Sequence, residues 1–114
     1  MPRFVVLEHE WPRPHLDFLL EADGVLRAWR LLVEEIVSTT VPAEPNFDHR
    51  LLYLEFEGPL SGDRGTVRRW DVGTFDWIEN GPERVAVELR GGRLIGRAEW
   101  TRSDGHWIFP PTRV

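Results

Sequence analysis

Two histidines and an aspartate near the amino terminus have the residue types and the spacing of a metal site. His15 and Asp17 lie two residues apart in a segment with strand-like alternation, so both side chains project from one face of the strand. His9 lies six residues before His15, and the intervening Trp11-Pro12-Arg13-Pro14 bend can fold it back onto that face. Two imidazoles and one carboxylate suit Mn²⁺, Zn²⁺ or Fe²⁺, with coordination positions left open. The same His-x-Asp spacing also occurs on strands that bind no metal.

A second group of candidates lies near the middle of the chain, where Arg50 and Tyr53 follow His49. If a strand continues through this region, His49, Leu51 and Tyr53 share one face. The alternative is that His49 and Arg50 are exposed at the entry to a strand and that Tyr53 lies at a rim. His106 follows a turn glycine and is interpreted as a surface residue.

Absent motifs and the overall composition exclude several other classes of site. The sequence has no P-loop, no Gly-x-Gly-x-x-Gly, no Gly-x-Ser-x-Gly and no HExxH motif. Cysteine is absent, which excludes disulfides, thiolate catalysis and Cys-ligated zinc. The formal charge of −5 argues against broad electrostatic binding to nucleic acid. All 14 basic residues are arginine, whose planar guanidinium suits bidentate phosphate contacts, although genome composition also explains a chain without lysine.

Strands must position these residues, because strand signals dominate the chain. Residues 15–32 are predicted to form a hairpin around the Asp23-Gly24 turn, and turn residues such as Asn80-Gly81 separate further short apolar runs. The pattern predicts an all-β fold, either a barrel or a sandwich of hairpins. The predicted strands cover residues 4–7, 15–20, 25–32, 51–57, 66–70, 74–78, 84–89, 94–101 and 106–109.

Two segments are predicted to lie outside the strands. Residues 33–48 contain Pro42 and Pro45 and are predicted to form a long connection, or one short helical turn near Glu34-Glu35. The Asp71-Val72-Gly73 sequence is predicted to be a turn between two strands.

Length and composition predict one globular domain over residues 1–114. The chain has 114 residues, of which 41% are hydrophobic and 29% are charged. No apolar run approaches the ~20 residues that span a bilayer, and no leader pattern opens the chain, so we expect a cytoplasmic protein. The six tryptophans are interpreted as core or barrel-rim residues, with base stacking as the alternative for one or two of them.

In their order along the chain, these residues resemble the 3′-phosphoesterase domain of bacterial DNA ligase D, the multifunctional end-joining ligase, and of related stand-alone proteins. The matching segments are Phe4-Val5-Val6, His9, His15-Leu16-Asp17-Phe18, Asp23-Gly24, Val25-Leu26-Arg27-Ala28-Trp29, residues 49–58, residues 65–74 and Leu94-Ile95-Gly96-Arg97. The resemblance covers about residues 3–100 in the family's order, a match that chance does not produce. We therefore expect a divergent, stand-alone member of this family.

The resemblance implies a compact single-domain β-barrel of about eight mostly antiparallel strands, with at most a short helical turn and a metal and phosphate site in a crevice. It implies that His9, His15 and Asp17 bind a divalent metal, by preference Mn²⁺, with Zn²⁺ as the alternative. It implies that His49 and Tyr53 act at the phosphate. The implied substrates are 3′-terminal phosphates and 3′-terminal ribonucleosides on DNA ends.

The departures from the family pattern concern the anion side of the site. Leu19 stands where the family has an arginine that contacts the phosphate, Val33 where it has a lysine, and Phe47 where it has a carboxylate. The first two losses remove positive charge that would stabilise a transferring phosphoryl group. The candidate replacements, as phosphate-binding residues, are Arg30, Arg50 and Arg64.

The retained metal ligands and the missing phosphate-binding residues leave three candidate functions. The first is a metal-dependent 3′-phosphoesterase that acts in DNA repair. The second is a catalytically weakened or non-catalytic module that binds phosphorylated ends or a repair partner, and the missing arginine and lysine favour it. The third is hydrolysis of another phosphoester. The expected partners are DNA 3′ ends and a separate ligase or repair protein, with no membrane, and the expected oligomeric state is a monomer.

Overall fold

The computed structural model describes residues 1–112 and consists of nine strands in one antiparallel sheet. The strands are β1 Arg3–His9, β2 His15–Ala22, β3 Val25–Leu31, β4 Thr40–His49, β5 Gly58–Pro59, β6 Thr66–Asn80, β7 Arg84–Gly91, β8 Ile95–Thr101 and β9 His106–Ile108. The strand order is β1-β2-β3-β4-β9-β8-β7-β6-β5, and β6 also pairs with β1. Eight strands therefore close a barrel, β5 is an extra strand on β6, and the predicted all-β barrel is confirmed.

Large aromatic side chains fill the barrel interior. Successive strand residues point to opposite sides of the sheet, and each of the eight barrel strands contributes inward-pointing residues to the core. Trp29, Trp100 and Trp107 are at most 1% exposed, as the interpretation of tryptophan as a core residue requires. The Trp107 ring meets Trp29 and Phe18 edge to face, with centroid distances of 5.1 Å and 4.8 Å. The interior is thus a packed core, and the functional groups must lie elsewhere.

A second, smaller apolar cluster covers the outer face of β1, β2 and β3. Its members alternate with the inward residues of those strands, and Leu54 reaches it from a 3₁₀ helix, Leu51–Leu54. The cluster comprises Val5, Leu7, Leu19, Leu26, Ala28, Leu54 and Val67. On β1, His9 follows Val5 and Leu7 at two-residue intervals, and on β2, Asp17 lies two residues before Leu19. Both polar residues therefore lie on this same outer face.

The strand predicted over residues 51–57 is wrong. Leu51–Leu54 is the 3₁₀ helix, in which the Tyr53 amide donates to the Arg50 carbonyl at 3.1 Å and the Glu55 amide to the Leu52 carbonyl at 3.2 Å. The apolar residues of this segment serve the 3₁₀ helix instead of a strand, because the helix places the Leu54 side chain in the outer cluster. Within residues 1–112, no helix has the length and apolar character needed to cross a membrane.

The turn predicted at Asp71-Val72-Gly73 is also wrong, because β6 runs without a break from Thr66 to Asn80. Its first half pairs with β1 and its second half with β7, so this one long strand joins the two ends of the sheet. The Asp71 side chain is buried and accepts the Gly92, Arg93 and Leu94 amides at 2.8–3.0 Å. The Asp71 carboxylate therefore stabilises the turn between β7 and β8, and Asp71 itself does not lie in a turn.

The connection predicted over residues 33–48 is shorter than expected. Residues 32–39 are irregular, without a helical turn at Glu34-Glu35, but Thr40–His49 is strand β4. Pro45 is tolerated there because β9 pairs with β4 only from Thr40 to Pro42, which leaves one edge of the strand unpaired at Pro45. Pro42 is the last β4 residue paired with β9. The position of β4 matters for function, because it ends at His49 beside β3.

Candidate metal centre and phosphate cleft

His9, His15 and Asp17 form a cluster at the end of the β1–β2 hairpin. His9 and His15 are direct cross-strand partners, and their ring centroids lie 4.9 Å apart. His9 Nδ1 is 3.4 Å from Asp17 Oδ2, and His15 Nε2 is 3.2 Å from Asp17 Oδ1. One ligand atom from each residue lies within 4.8 Å of the others. The pairing of β1 with β2 therefore produces the convergence that the spacing predicted.

Backbone carbonyls fix the tautomer of both imidazoles. His9 Nε2 donates to the Arg64 carbonyl at 2.8 Å, and His15 Nδ1 donates to the Arg13 carbonyl at 2.8 Å. A carbonyl can only accept, so the opposite nitrogen of each neutral ring keeps its lone pair and faces Asp17. His15 Nε2 is buried and has no hydrogen-bond partner of good geometry. This is the arrangement in which imidazoles are held ready to bind a cation.

The loop that supplies one of these carbonyls approaches Glu10 and Trp11, the residues that follow His9, closely at Gly65. Gly65 has φ +77°, and a Cβ there would lie 2.8 Å from Trp11 Cβ and 3.0 Å from Glu10 Cγ. Glu10 Oε1 in turn accepts the amide and the hydroxyl of Thr66 at 3.0 Å and 2.8 Å. Glycine is required at this position because of both its backbone conformation and the missing space. The approach holds the Arg64 carbonyl on His9.

The electrostatics of the cluster favour an ionised carboxylate. Burial alone raises the pKa of Asp17, but the contacts of its two oxygens with the adjacent His15 and His9 rings outweigh this effect and lower the pKa to about 2. The hydrogen bond to Asp17 raises the pKa of His9 above 6.5, against the opposing effect of burial. At neutral pH the cluster therefore offers a carboxylate anion to a cation.

A cleft of about 350 Å³ opens beside the cluster and contains most of the other predicted site residues. His9 and Asp17 line it on the side of the cluster, and Trp11, Arg30, Asn46 and Phe47 line its other walls. Of the eight predicted site residues, the cleft brings together His9, Asp17, Arg30, His49, Arg50, Tyr53 and Arg64. His15 lines a neighbouring cleft of about 290 Å³, which it shares with His9 and three glutamates.

His49 and Tyr53 meet although no common strand connects them. Strand β4 ends at His49, and the 3₁₀ helix then turns the Tyr53 ring to 5.9 Å from the imidazole, edge to face. His49 Nδ1 donates to the Phe47 carbonyl at 2.9 Å, which leaves Nε2 for other partners. The juxtaposition that the sequence suggested is present, but a different local structure produces it.

The three arginines differ in how free they are to bind an anion. Arg30 is the cross-strand partner of Asp17, and its Nε is buried without a hydrogen-bond partner. Arg50 is exposed at the start of the 3₁₀ helix. The Arg64 guanidinium donates to the Ser61 carbonyl and hydroxyl at 2.7 Å and 3.0 Å, so part of it is already engaged within its loop. Arg30 therefore has the strongest unmet hydrogen-bonding capacity of the three.

The departures from the family pattern have structural counterparts. Leu19 shares the outer face with Asp17 but is fully buried in the apolar cluster there. Val33 is half-buried against the barrel core. Phe47, by contrast, is 74% exposed at the cleft. Sequence reasoning did not identify the carbonyls of Arg13 and Arg64 as functional groups, because a backbone carbonyl carries no signal in residue type.

The sequence model of the DNA ligase D 3′-phosphoesterase domain matches residues 7–108. The chain therefore belongs to the DNA ligase D 3′-phosphoesterase domain family, which confirms the resemblance.

Individual relatives are multifunctional end-joining proteins. The Multifunctional non-homologous end joining DNA repair protein LigD of Mycobacterium tuberculosis is 41% identical over 92% of this chain. The Multifunctional non-homologous end joining protein LigD of Pseudomonas aeruginosa is 30% identical over 90% of it. The matched regions are 15% and 13% of those two proteins, so the chain corresponds to a small part of each relative.

Proposed function

We propose that this protein is a metal-dependent 3′-phosphoesterase that acts on 3′-phosphate or 3′-ribonucleoside ends of DNA in repair. The observation that carries the proposal is the His9, His15 and Asp17 cluster. Each imidazole has one nitrogen tied to a backbone carbonyl and the other turned toward one buried carboxylate. Membership in the 3′-phosphoesterase domain family supports the same reaction class.

The cluster suits a divalent cation such as Mn²⁺, with Zn²⁺ as the alternative. His9 Nδ1, His15 Nε2 and an Asp17 oxygen would hold it, and the buried, unpaired His15 Nε2 is a ligand atom without another partner. Three protein ligands leave coordination positions for substrate and water. When bound, the ion would polarise a phosphoryl oxygen and lower the pKa of a water molecule.

The chain's own residues would perform the proton transfer and hold the phosphate. His49 Nδ1 donates to the Phe47 carbonyl, so a protonated His49 has Nε2–H available for the leaving oxygen. Tyr53, with its ring 5.9 Å from that of His49, would orient the phosphate through its hydroxyl. These two residues line the same cleft as His9 and Asp17 of the cluster, which supports a single reacting centre.

Three arginines of the cleft are proposed to replace the positive charge that the chain lacks at Leu19 and Val33. Arg30 is the leading candidate, since its buried Nε has no partner and a phosphate oxygen would supply one. Arg50 lines the cleft from the start of the 3₁₀ helix, and Arg64 would contribute the guanidinium nitrogen that Ser61 does not bind.

The test is release of phosphate from a 3′-phosphorylated primer annealed to a template, with and without added Mn²⁺. We expect Mn²⁺-dependent release, and we expect His49→Ala to lower its rate by about 10²–10⁴-fold while Mn²⁺ affinity stays nearly unchanged. His106→Ala is the matched control, because His106 Nδ1 makes the same kind of bond to the Asp104 carbonyl at 2.8 Å outside the cleft.

The second candidate function is a non-catalytic module that binds phosphorylated ends or a repair partner. The burial of Leu19 favours it, because an apolar side chain covers the position from which the family's arginine contacts phosphate. Equal rates in the unaltered protein and His49→Ala, combined with retained binding of the 3′-phosphorylated end, would select this function over the phosphoesterase.

A further inference from the structure

The exposed aromatic rings of this molecule are concentrated at one place. Among residues 1–112, Trp11 and Phe47 are the two large aromatic side chains with more than a third of their surface exposed, at 45% and 74%. Both line the cleft that contains His9, Asp17 and His49. Folding normally covers such rings, so two exposed rings beside one polar site indicate a surface that a ligand covers.

Phe47 presents a flat surface directly beside the proposed proton donor. Its ring is parallel to the His49 imidazole, with an interplanar angle of 8° and a centroid distance of 5.0 Å. The hydrogen bond from His49 Nδ1 to the Phe47 carbonyl ties the two residues together through the backbone as well. Most of the Phe47 ring nevertheless remains in contact with solvent. The pair therefore forms an aromatic platform next to the place where the leaving oxygen would lie.

We infer that Trp11 and Phe47 form a stacking subsite for the nucleobase of the terminal nucleotide at a 3′ end. This inference rests on the proposed function and specifies how the substrate is recognised. The base and the 3′ oxygen belong to the same nucleotide, so a base next to the phosphate site is unavoidable. Aromatic stacking accepts every base, as an enzyme that processes DNA ends requires.

The charge of the protein gives stacking a particular importance. A formal charge of −5 works against general attraction to the phosphate backbone. Arg30, Arg50 and Arg64 supply positive charge at the cleft itself, and they can hold one terminal phosphate. The base platform then adds affinity that does not depend on a long basic surface.

The experiment compares two 3′-phosphorylated oligonucleotides that differ in one feature. One carries a normal base on its terminal nucleotide, and the other is abasic there. Phe47→Leu and Trp11→Leu each keep an apolar side chain but remove the aromatic plane, while Phe47→Tyr restores it. We expect each leucine variant to raise KM for the normal end about tenfold and to leave KM for the abasic end unchanged. Phe47→Tyr should behave like the unaltered protein.

The control is Leu52→Ala, which removes an exposed apolar side chain of the 3₁₀ helix that does not line the cleft. It should leave both KM values unchanged. The inference is overturned if Phe47→Leu lowers kcat equally on both oligonucleotides, because Phe47 would then position His49 rather than bind a base. It is also overturned if the unaltered protein has the same KM for normal and abasic ends.

A binding measurement separates this inference from the proposed function. If the unaltered protein releases no phosphate, the phosphoesterase proposal fails, and fluorescence anisotropy of the same two labelled oligonucleotides tests stacking alone. Tighter binding of the normal end, lost in Phe47→Leu and Trp11→Leu, would support the subsite in a non-catalytic protein. Equal binding of normal and abasic ends would overturn it.

Discussion

Replacing Asp17 by asparagine keeps the shape of the side chain and removes the charge around which the cluster is organised. The folded pKa of Asp17 is about 2, compared with an ordinary value of 3.8. Because the folded pKa is depressed, the ionised carboxylate stabilises the fold above pH 3.8, and this stability is lost as the pH falls toward 2. The difference corresponds to about 2 kcal/mol at neutral pH.

Urea unfolding in chelator-treated buffer measures this contribution. At pH 7 we expect Asp17→Asn to lower the free energy of unfolding by about 2 kcal/mol, or the melting temperature by about 8 °C in a domain of this size. Near pH 2.5 the two proteins should differ much less, because the carboxyl is then mostly protonated in the unfolded chain and folding must release its proton. Asp76→Asn is the control, since Asp76 pairs with Arg90 on the exposed surface and its loss should change stability far less.

Added Mn²⁺ extends the same experiment to the metal proposal. At a concentration 100 times the Kd, one bound ion stabilises the folded state by about 2.7 kcal/mol. Mn²⁺ should therefore raise the melting temperature of the unaltered protein and leave that of Asp17→Asn unchanged. The reasoning about the cluster would be refuted if Asp17→Asn were as stable as the unaltered protein at pH 7 without metal. Equal stabilisation of both proteins by Mn²⁺ would refute the role of Asp17 as a ligand.

Three further predictions concern the same region and the barrel. Isothermal titration calorimetry should show one divalent-metal site, and its affinity should fall as the pH is lowered through the raised pKa of His9. The reason is that a proton on the His9 ring competes with the metal ion. An affinity that does not depend on pH between about 5.5 and 8.5 would contradict this prediction. Leu19→Arg should destabilise the fold by about 3 kcal/mol or more in urea unfolding, because Leu19 is fully buried, and stronger sulfate binding by a stably folded variant would instead show that the arginine reaches the cleft. Asp71→Asn should cost about 1.5–3 kcal/mol in the same assay, because one of the two oxygens that accept the Gly92 and Leu94 amides is lost; unchanged stability would count against that bonding.

Local signals were sufficient for the all-β class, for most of the strands and for the convergence of His9, His15 and Asp17. Alternating apolar residues and turn dipeptides identify the β2–β3 hairpin, and the two-residue period puts His15 and Asp17 on one face before any tertiary contact is considered. The order of motifs also identified the family. Where prediction failed, local and tertiary preferences differ: Asp71 has the composition of a turn residue but lies in a continuous strand, because its carboxylate serves a turn more than 20 residues away.

The sequence by itself determined that His9, His15 and Asp17 could converge, because strand period and hairpin pairing are local properties. Tertiary structure decided which nitrogen of the His9 ring faces Asp17, since the Arg64 carbonyl reaches His9 from 55 residues along the chain. It also decided that Leu19 is buried while Phe47 is exposed, although both depart from the family pattern. Burial depends on what packs over a residue, and the 3₁₀ helix that carries Leu54 covers the first position but not the second.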